Sequence, residues 1–168
     1  MTVEELWSII DFIGTEDIVD LRDRAIITTI YSTGLRVSEL TALDIKHINL
    51  ETQEFAIIGK GKKVRVVYLT KWACDAIRQY LEKREDHFPA LFLKHGSHTI
   101  QSTKYKVQNV EFEPEKVRFD RFLVTKMISD RARKAGIVKP VSAHTIRHSF
   151  ATTLLGNGAD LRSIQELL

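Results

Sequence analysis

One stretch, residues 54–70, differs from the rest of the chain and most constrains its fold. It reads EFAIIGKGKKVRVVYLT, with β-branched and aromatic residues on both sides of a turn made of glycines and lysines. This pattern is typical of a β-hairpin and predicts strands near 54–58 and 64–69. The segment ALDIKHINL, residues 42–50, can add a third strand. The chain should therefore contain a small antiparallel sheet.

Helical patterns surround this hairpin. Thr2 with Glu5 three residues later forms a capping box, which predicts a helix at the start of the chain. Apolar residues at helical spacing predict further helices over 18–32, near 35–43, over 72–84, over 122–135 and after Ser142. A chain of 168 residues can bury the core of one domain. We therefore expect a single, mainly helical α+β domain over residues 1–168.

Composition and charge exclude several classes of protein. Lys and Arg number 25 against 22 Asp and Glu, so the net charge of +3 permits a nucleic-acid partner without demanding one. The single Cys74 excludes an internal disulfide framework. The start MTVEEL lacks the basic and apolar regions of a signal peptide, and no stretch is long enough to span a membrane. We expect a cytoplasmic protein with no membrane partner.

The stretch VSAHTIRHS places three basic residues at the start of a helix. If Ser142 is the N-cap, then His144, Arg147 and His148 lie in the first turns, where the helix dipole favours anions. The two histidines have the spacing of a zinc-protease helix, but Thr145 stands where that motif has its glutamate base. Taken alone, such a pair is more often a solvated face or a structural contact. A bound anion would make the arrangement favourable.

A second helix start carries an arginine as well. In TGLRVSEL, Arg36 follows a glycine that ends the preceding helix, and Glu39 shares its face and can orient the guanidinium. The GKGKK turn lacks the spacing of a phosphate-binding loop, so by itself it is an exposed turn. Two helix starts with arginines and a lysine-tipped hairpin together form fixed positive groups that suit one phosphate diester. The predicted anion is a DNA phosphate.

At these residues the chain resembles the tyrosine recombinases, the phage-integrase and Xer-type site-specific DNA recombinases. The motifs TGLRVSEL, IIGKGKKVR, HTIRHSFATTLL and NGADLRSIQELL follow the family's order and spacing, with one interruption near 94–120. The resemblance implies the catalytic domain of DNA breaking-rejoining enzymes. In this family a tyrosine attacks the DNA phosphate, leaving a 3′-phosphotyrosine and a free 5′-hydroxyl that later rejoins a different strand.

The resemblance assigns catalytic roles to particular residues. It implies that Arg36 is the first catalytic arginine, Glu39 its acidic companion, Lys60 the hairpin lysine, and His144 with Arg147 the His-x-x-Arg pair. Arginines hold their protons and can donate to the non-bridging oxygens as negative charge builds there. A lysine can protonate the leaving 5′-oxygen, and a neutral histidine can share the nucleophile's proton. No step needs a metal or a cofactor.

Further basic residues beside these motifs are predicted to contact double-stranded DNA: Lys62, Lys63, Arg65 and His148. The resemblance also implies other recombinase protomers as partners of a full-length parent.

The same resemblance implies parts that we expect to lie outside this chain. The family has an N-terminal core-binding domain, and its nucleophilic tyrosine follows the His-x-x-Arg pair. Tyr31, Tyr68, Tyr80 and Tyr105 all precede that pair and are expected to be core or surface aromatics. We therefore expect a C-terminally incomplete catalytic domain that is inactive in cleavage by itself. A non-catalytic DNA-binding module and a type IB topoisomerase-like activity are the alternative functions.

Within the interruption, KYKVQNVEFE has the alternation of an added β-hairpin. With a turn at Gln108 and Asn109, lysines lie opposite glutamates on one face of the hairpin, and apolar and aromatic residues pair on the other face. We expect a structural or protein-facing hairpin over 104–113, with a mobile surface loop as the alternative.

Overall fold

The computed structural model describes residues 1–58, 64–95 and 117–160. Within these ranges the chain forms six helices and three strands: α1 (Val3–Phe12), α2 (Ile18–Thr33), α3 (Val37–Thr41), β1 (Ile48–Asn49), β2 (Glu54–Ile58), β3 (Val64–Tyr68), α4 (Lys71–Glu82), α5 (Arg121–Lys134) and α6 (Ala143–Gly156). The predicted fold class, mainly helical α+β with a small antiparallel sheet, is confirmed.

Local capping interactions fix the helix ends that matter for the candidate site. Glu5 N–H donates to Thr2 Oγ1 at 3.2 Å and Thr2 N–H donates to Glu5 Oε2 at 2.8 Å, so α1 begins with the predicted capping box. Gly34 ends α2 with a left-handed backbone, φ +63°, which glycine adopts without a steric cost. Ser142 caps α6 by accepting from Thr145 N–H at 3.2 Å.

The sheet is antiparallel, in the order β1-β2-β3. In the register of β2 with β3, Phe55 faces Val67 and Ile57 faces Arg65. The apolar members of these pairs are buried and form the inner face. The predicted third strand is only two residues long, because a 3-10 turn occupies Ile45–His47 just before it.

Helix α2 lies at the centre of the core and contacts the other five helices and β3. Four of its apolar residues are fully buried: Ala25, Ile26, Ile27 and Ile30. Leu6, Ile9 and Ile10 of α1 are buried against this core, and so is Cys74 of α4. The elements that carry Arg36, Arg65 and Arg147 therefore all contact this central helix.

Several predictions fall outside the described residues. They are the hairpin turn 59–63, the added hairpin over 104–113 and the last eight residues, 161–168. At the described ends of the interruption, Leu93 and Arg118 form an isolated antiparallel bridge. In the described parts of the chain, no helix has the length and apolar character needed to cross a membrane.

Candidate functional site

Arg36 is the N-cap residue of α3, two residues after the glycine that ends α2. Its backbone is extended, and its guanidinium Nη1 donates to Glu39 Oε1 at 3.1 Å. The Arg36 N–H donates to the other carboxylate oxygen, Glu39 Oε2, at 2.8 Å. The Arg36 side chain is nevertheless 46% exposed. Glu39 therefore orients this guanidinium, as its position predicts, and leaves it accessible from outside.

Arg65 approaches the same carboxylate from the sheet. Its Nη2 donates to Glu39 Oε2 at 3.1 Å, and its side chain is 17% exposed. No sequence pattern pointed to this contact, because Glu39 and Arg65 are 26 residues apart and lie on different elements.

Arg147 lies in the second turn of α6 and belongs to the same cluster of charges. Burial lowers the pKa of its guanidinium, and the positive charges of Arg36 and Arg65 lower this pKa further, while Glu39 opposes them. These effects require Arg147 to lie within electrostatic reach of α3 and β3. The structure thus brings four predicted residues together, which we call the arginine cluster: Arg36, Glu39, Arg65 and Arg147.

The two histidines lie on the outer side of α6. His144 and His148 are exposed, whereas the core-facing side of this helix buries Ala143, Ile146 and Ser149. His144 precedes Arg147 by one turn, so the two side chains emerge on neighbouring parts of the helix surface. Their catalytic and DNA-binding roles stay predictions. Lys60, Lys62 and Lys63 lie outside the described residues.

An open groove adjoins the start of α3. Its lining includes Val37, which follows Arg36, together with Asp120, Arg121, Phe122 and Thr125 at the start of α5, and its volume is about 580 Å³. Phe122 is 75% exposed here. Asp120 caps α5 by accepting from Leu123 N–H at 3.0 Å.

The described tyrosines are core or surface aromatics, as expected. Tyr80 is fully buried, and its burial raises the pKa of its hydroxyl to about 12. Tyr31 lies against Trp72, with 5.9 Å between ring centroids, and its hydroxyl is 3.3 Å from Thr153 Oγ1. Tyr68 is 64% exposed on β3. Tyr105 lies outside the described residues.

The described ranges contain no group of three or more His, Cys, Asp or Glu side chains placed to hold a metal ion. The chemistry open to the arginine cluster is the binding of an oxyanion. Arg36 and Arg65 share the Glu39 carboxylate and Arg147 lies within its electrostatic reach, so the cluster carries an excess of positive charge and donors that match a phosphate group.

The mainly helical fold thus carries an arginine cluster whose donors match an oxyanion. The sequence matches the phage integrase family over residues 1–168, and the chain belongs to this family.

Similar proteins agree with that assignment. The chain is 39% identical over 166 residues to the tyrosine recombinase XerD of Listeria innocua, covering 99% of this chain and 51% of that protein. Its fold matches the crystal structure of XerA recombinase with a TM-score of 0.79 and 29% identity, covering 100% of this chain and 53% of that one. The XerH site-specific recombinase bound to its difH substrate matches with a TM-score of 0.73 and 26% identity, covering 100% of this chain and 46% of that one. The resemblance to tyrosine recombinases is confirmed, and the chain spans about half the length of the curated relatives it matches.

Proposed function

We propose that residues 1–168 form the catalytic domain, in a longer parent protein, of an enzyme that cuts and rejoins double-stranded DNA at specific sites. The observation that carries this proposal is the arginine cluster, in which α3, β3 and α6 bring their charges to one place. The XerH structure was solved with its difH substrate bound, which supports DNA as the ligand of this fold.

In the proposed reaction the cluster binds the phosphate that is cut. Attack by a tyrosine hydroxyl forms an oxygen–phosphorus bond and breaks the bond from phosphorus to the 5′-oxygen. Negative charge builds on the two non-bridging oxygens, to which Arg36 and Arg147 donate hydrogen bonds. Glu39 keeps Arg36 oriented before the DNA arrives, so little reorganisation is needed during the reaction.

Two protons must move in this step, and two residues are proposed to move them. His144 accepts the proton that the tyrosine hydroxyl loses, because its imidazole is exposed one turn before Arg147. Lys60 gives a proton to the 5′-oxygen as it leaves, a role that suits a lysine near the tip of the hairpin. The rejoining step reverses both transfers. DNA contacts by Lys62, Lys63 and His148 belong to the same proposal.

We infer that the nucleophilic tyrosine comes from outside residues 1–168. Tyr80 is buried with a raised pKa, and Tyr31 is held between Trp72 and Thr153. Assembly with other protomers on DNA follows from the proposed exchange of strands between two sites.

A chimera tests the proposal. This chain would replace the matching half of Listeria innocua XerD, with which it is 39% identical. On nicked target DNA of that relative, the chimera should form a covalent protein–DNA adduct, while the 168-residue chain alone should bind duplex DNA without forming one. Arg36→Gln or Arg147→Gln in the chimera should slow adduct formation about 10²-fold or more.

Arg133→Gln is the matched control, because Arg133 is 77% exposed at the end of α5 and pairs with Asp130. A folded chimera that binds DNA and forms no adduct would favour the non-catalytic DNA-binding module. An adduct formed by the 168-residue chain alone would contradict the inferred source of the tyrosine.

A further inference from the structure

The Glu39 carboxylate connects two arginines that lie on different elements. Its Oε1 accepts from Arg36 Nη1 at 3.1 Å, and its Oε2 accepts from Arg65 Nη2 at 3.1 Å as well as from the Arg36 N–H at 2.8 Å. The carboxylate is itself only 11% exposed. One largely buried carboxylate therefore fixes α3 to β3.

Arg65 lies on the inner face of the sheet. It is paired with Ile57, which is 7% exposed, and Val67 two residues later is 5% exposed. Because side chains alternate between the faces of a strand, Arg65 and Val67 share the inner face. A guanidinium there needs a counter-charge, since burying an isolated charge is costly. Glu39 supplies that counter-charge.

The exposure of the two arginines differs in a way that separates their roles. The Arg36 side chain is 46% exposed and that of Arg65 is 17% exposed. A guanidinium has five N–H donors, so the bond from Arg36 Nη1 to Glu39 leaves further donors with which Arg36 can bind a phosphate. The direction of these remaining donors depends on the orientation of the Glu39 carboxylate. The Arg36 side chain contacts Oε1 of that carboxylate, and Arg65 holds the other oxygen, Oε2.

We propose that Arg65 is a positioning residue that fixes the Glu39 carboxylate and, through it, the direction of the Arg36 guanidinium. This role rests on the proposed function of Arg36 as a phosphate ligand. In this role, and not through a direct contact with DNA, Arg65 couples β3 to α3.

The first test measures the motion of Arg36 in the free 168-residue chain. Nuclear magnetic resonance relaxation of the Arg36 Nε–Hε group gives an order parameter, which reports how restricted the motion of its guanidinium is. In Arg65→Gln the order parameter should fall clearly below its wild-type value, and Glu39→Gln should lower it as well. Arg133→Gln, a change at an exposed and distant ion pair, should leave it at the wild-type value.

The second test measures affinity for a duplex DNA at several salt concentrations. Arg65→Gln should weaken binding about 5-fold with the slope of log affinity against log salt unchanged, because no phosphate contact is removed. A direct phosphate contact by Arg65 would instead lower the magnitude of that slope by about 0.9.

The outcomes distinguish failure of the positioning role of Arg65 from failure of the proposed function. An unchanged order parameter of Arg36 in Arg65→Gln, or a lower slope, would overturn the positioning role even if the wild-type chain binds DNA. Wild-type chain that fails to bind DNA contradicts the proposed function, while the relaxation measurement still decides whether Arg65 positions Arg36. If Arg65→Gln does not fold, Arg65→Lys replaces it: the charge beside Glu39 is kept, and partial loss of Arg36 order is expected.

Discussion

His95 is held in an environment that disfavours its charged form. Its Nε2 lies 2.7 Å from the hydroxyl oxygen of Tyr80, which also accepts from Leu93 N–H at 3.2 Å. Burial lowers the pKa of His95 from 6.5 to about 4, and the positive charges of Arg22 and Arg84 add to this effect. The imidazole is therefore neutral in the folded protein at neutral pH.

This lowered pKa predicts a loss of stability in mild acid. The unfolded chain takes up a proton on His95 near pH 6.5 and the folded chain only near pH 4, so the unfolded state binds more protons between these values. The free energy of unfolding should then fall as the pH decreases from about 6.5 to 4. Urea unfolding at several pH values in this range measures the free energy of unfolding, and the His95→Gln variant is measured for comparison. If the variant loses as much stability over this range as the wild type, His95 is not the group responsible.

Residue by residue, contacts within a helix turn could be predicted and contacts between distant segments could not. The bond from Arg36 to Glu39 follows from their spacing of three residues at a helix start. The contact of Arg65 with Glu39 and that of Tyr80 with His95 depend on how separate elements pack. Strand β3 is apolar on both faces apart from Arg65, so its alternation alone did not show which face is buried.

At the scale of elements, a buried ion network joins α2 to α5. Asp23 is 2% exposed and accepts from Arg22 Nη2 at 2.6 Å and from Arg131 Nη2 at 2.7 Å. Arg22 is also buried and its guanidinium lies 4.0 Å from the centroid of the Phe119 ring. The network fixes the angle at which α5 meets the central helix, and α5 in turn lines the groove beside Arg36.

Removal of the shared carboxylate should therefore be costly. In Asp23→Ala, Arg22 loses its buried counter-charge and Arg131 keeps only its ion pair with Asp20, so we expect the free energy of unfolding to fall by about 3 to 5 kcal/mol. Urea unfolding followed by circular dichroism measures the change. Arg133→Gln breaks an exposed ion pair and should alter stability by less than about 0.5 kcal/mol. A loss below about 1 kcal/mol in Asp23→Ala would show that this network does not hold α5 in place.

The helix and strand limits were largely predictable because they depend on local signals. Thr2, Gly34 and Ser142 act within a few residues of their own positions, and the structure uses each as expected. The predicted length of the third strand was too great, because a 3-10 turn begins at Asp44, whose backbone N–H donates to His47 Nδ1. The network around Asp23 gave no local signal, because Arg131 is 108 residues away.

At the scale of the whole molecule, the proposed function depends on charge placement more than on total charge. The net charge of the chain is only +3, yet arginines from α3, β3 and α6 surround one carboxylate, Glu39, which is bonded to Arg36 and Arg65. Burial lowers the pKa of Arg147, and the repulsion from the positive charges of Arg36 and Arg65 lowers it further. A phosphate bound between them would relieve this repulsion, which is the physical basis of the proposed site.

The central claim is that Arg36 and Arg147 bind the same phosphate, and the salt dependence of DNA binding tests it most directly. Each phosphate neutralised contributes about 0.9 to the magnitude of the slope of log affinity against log salt. If the two arginines share one phosphate, Arg36→Gln and Arg147→Gln should each weaken binding with little change in slope, and only the double variant should lower the slope by about 0.9. A decrease of about 0.9 in each single variant, adding to about 1.8 in the double variant, would show two separate phosphates and contradict the account.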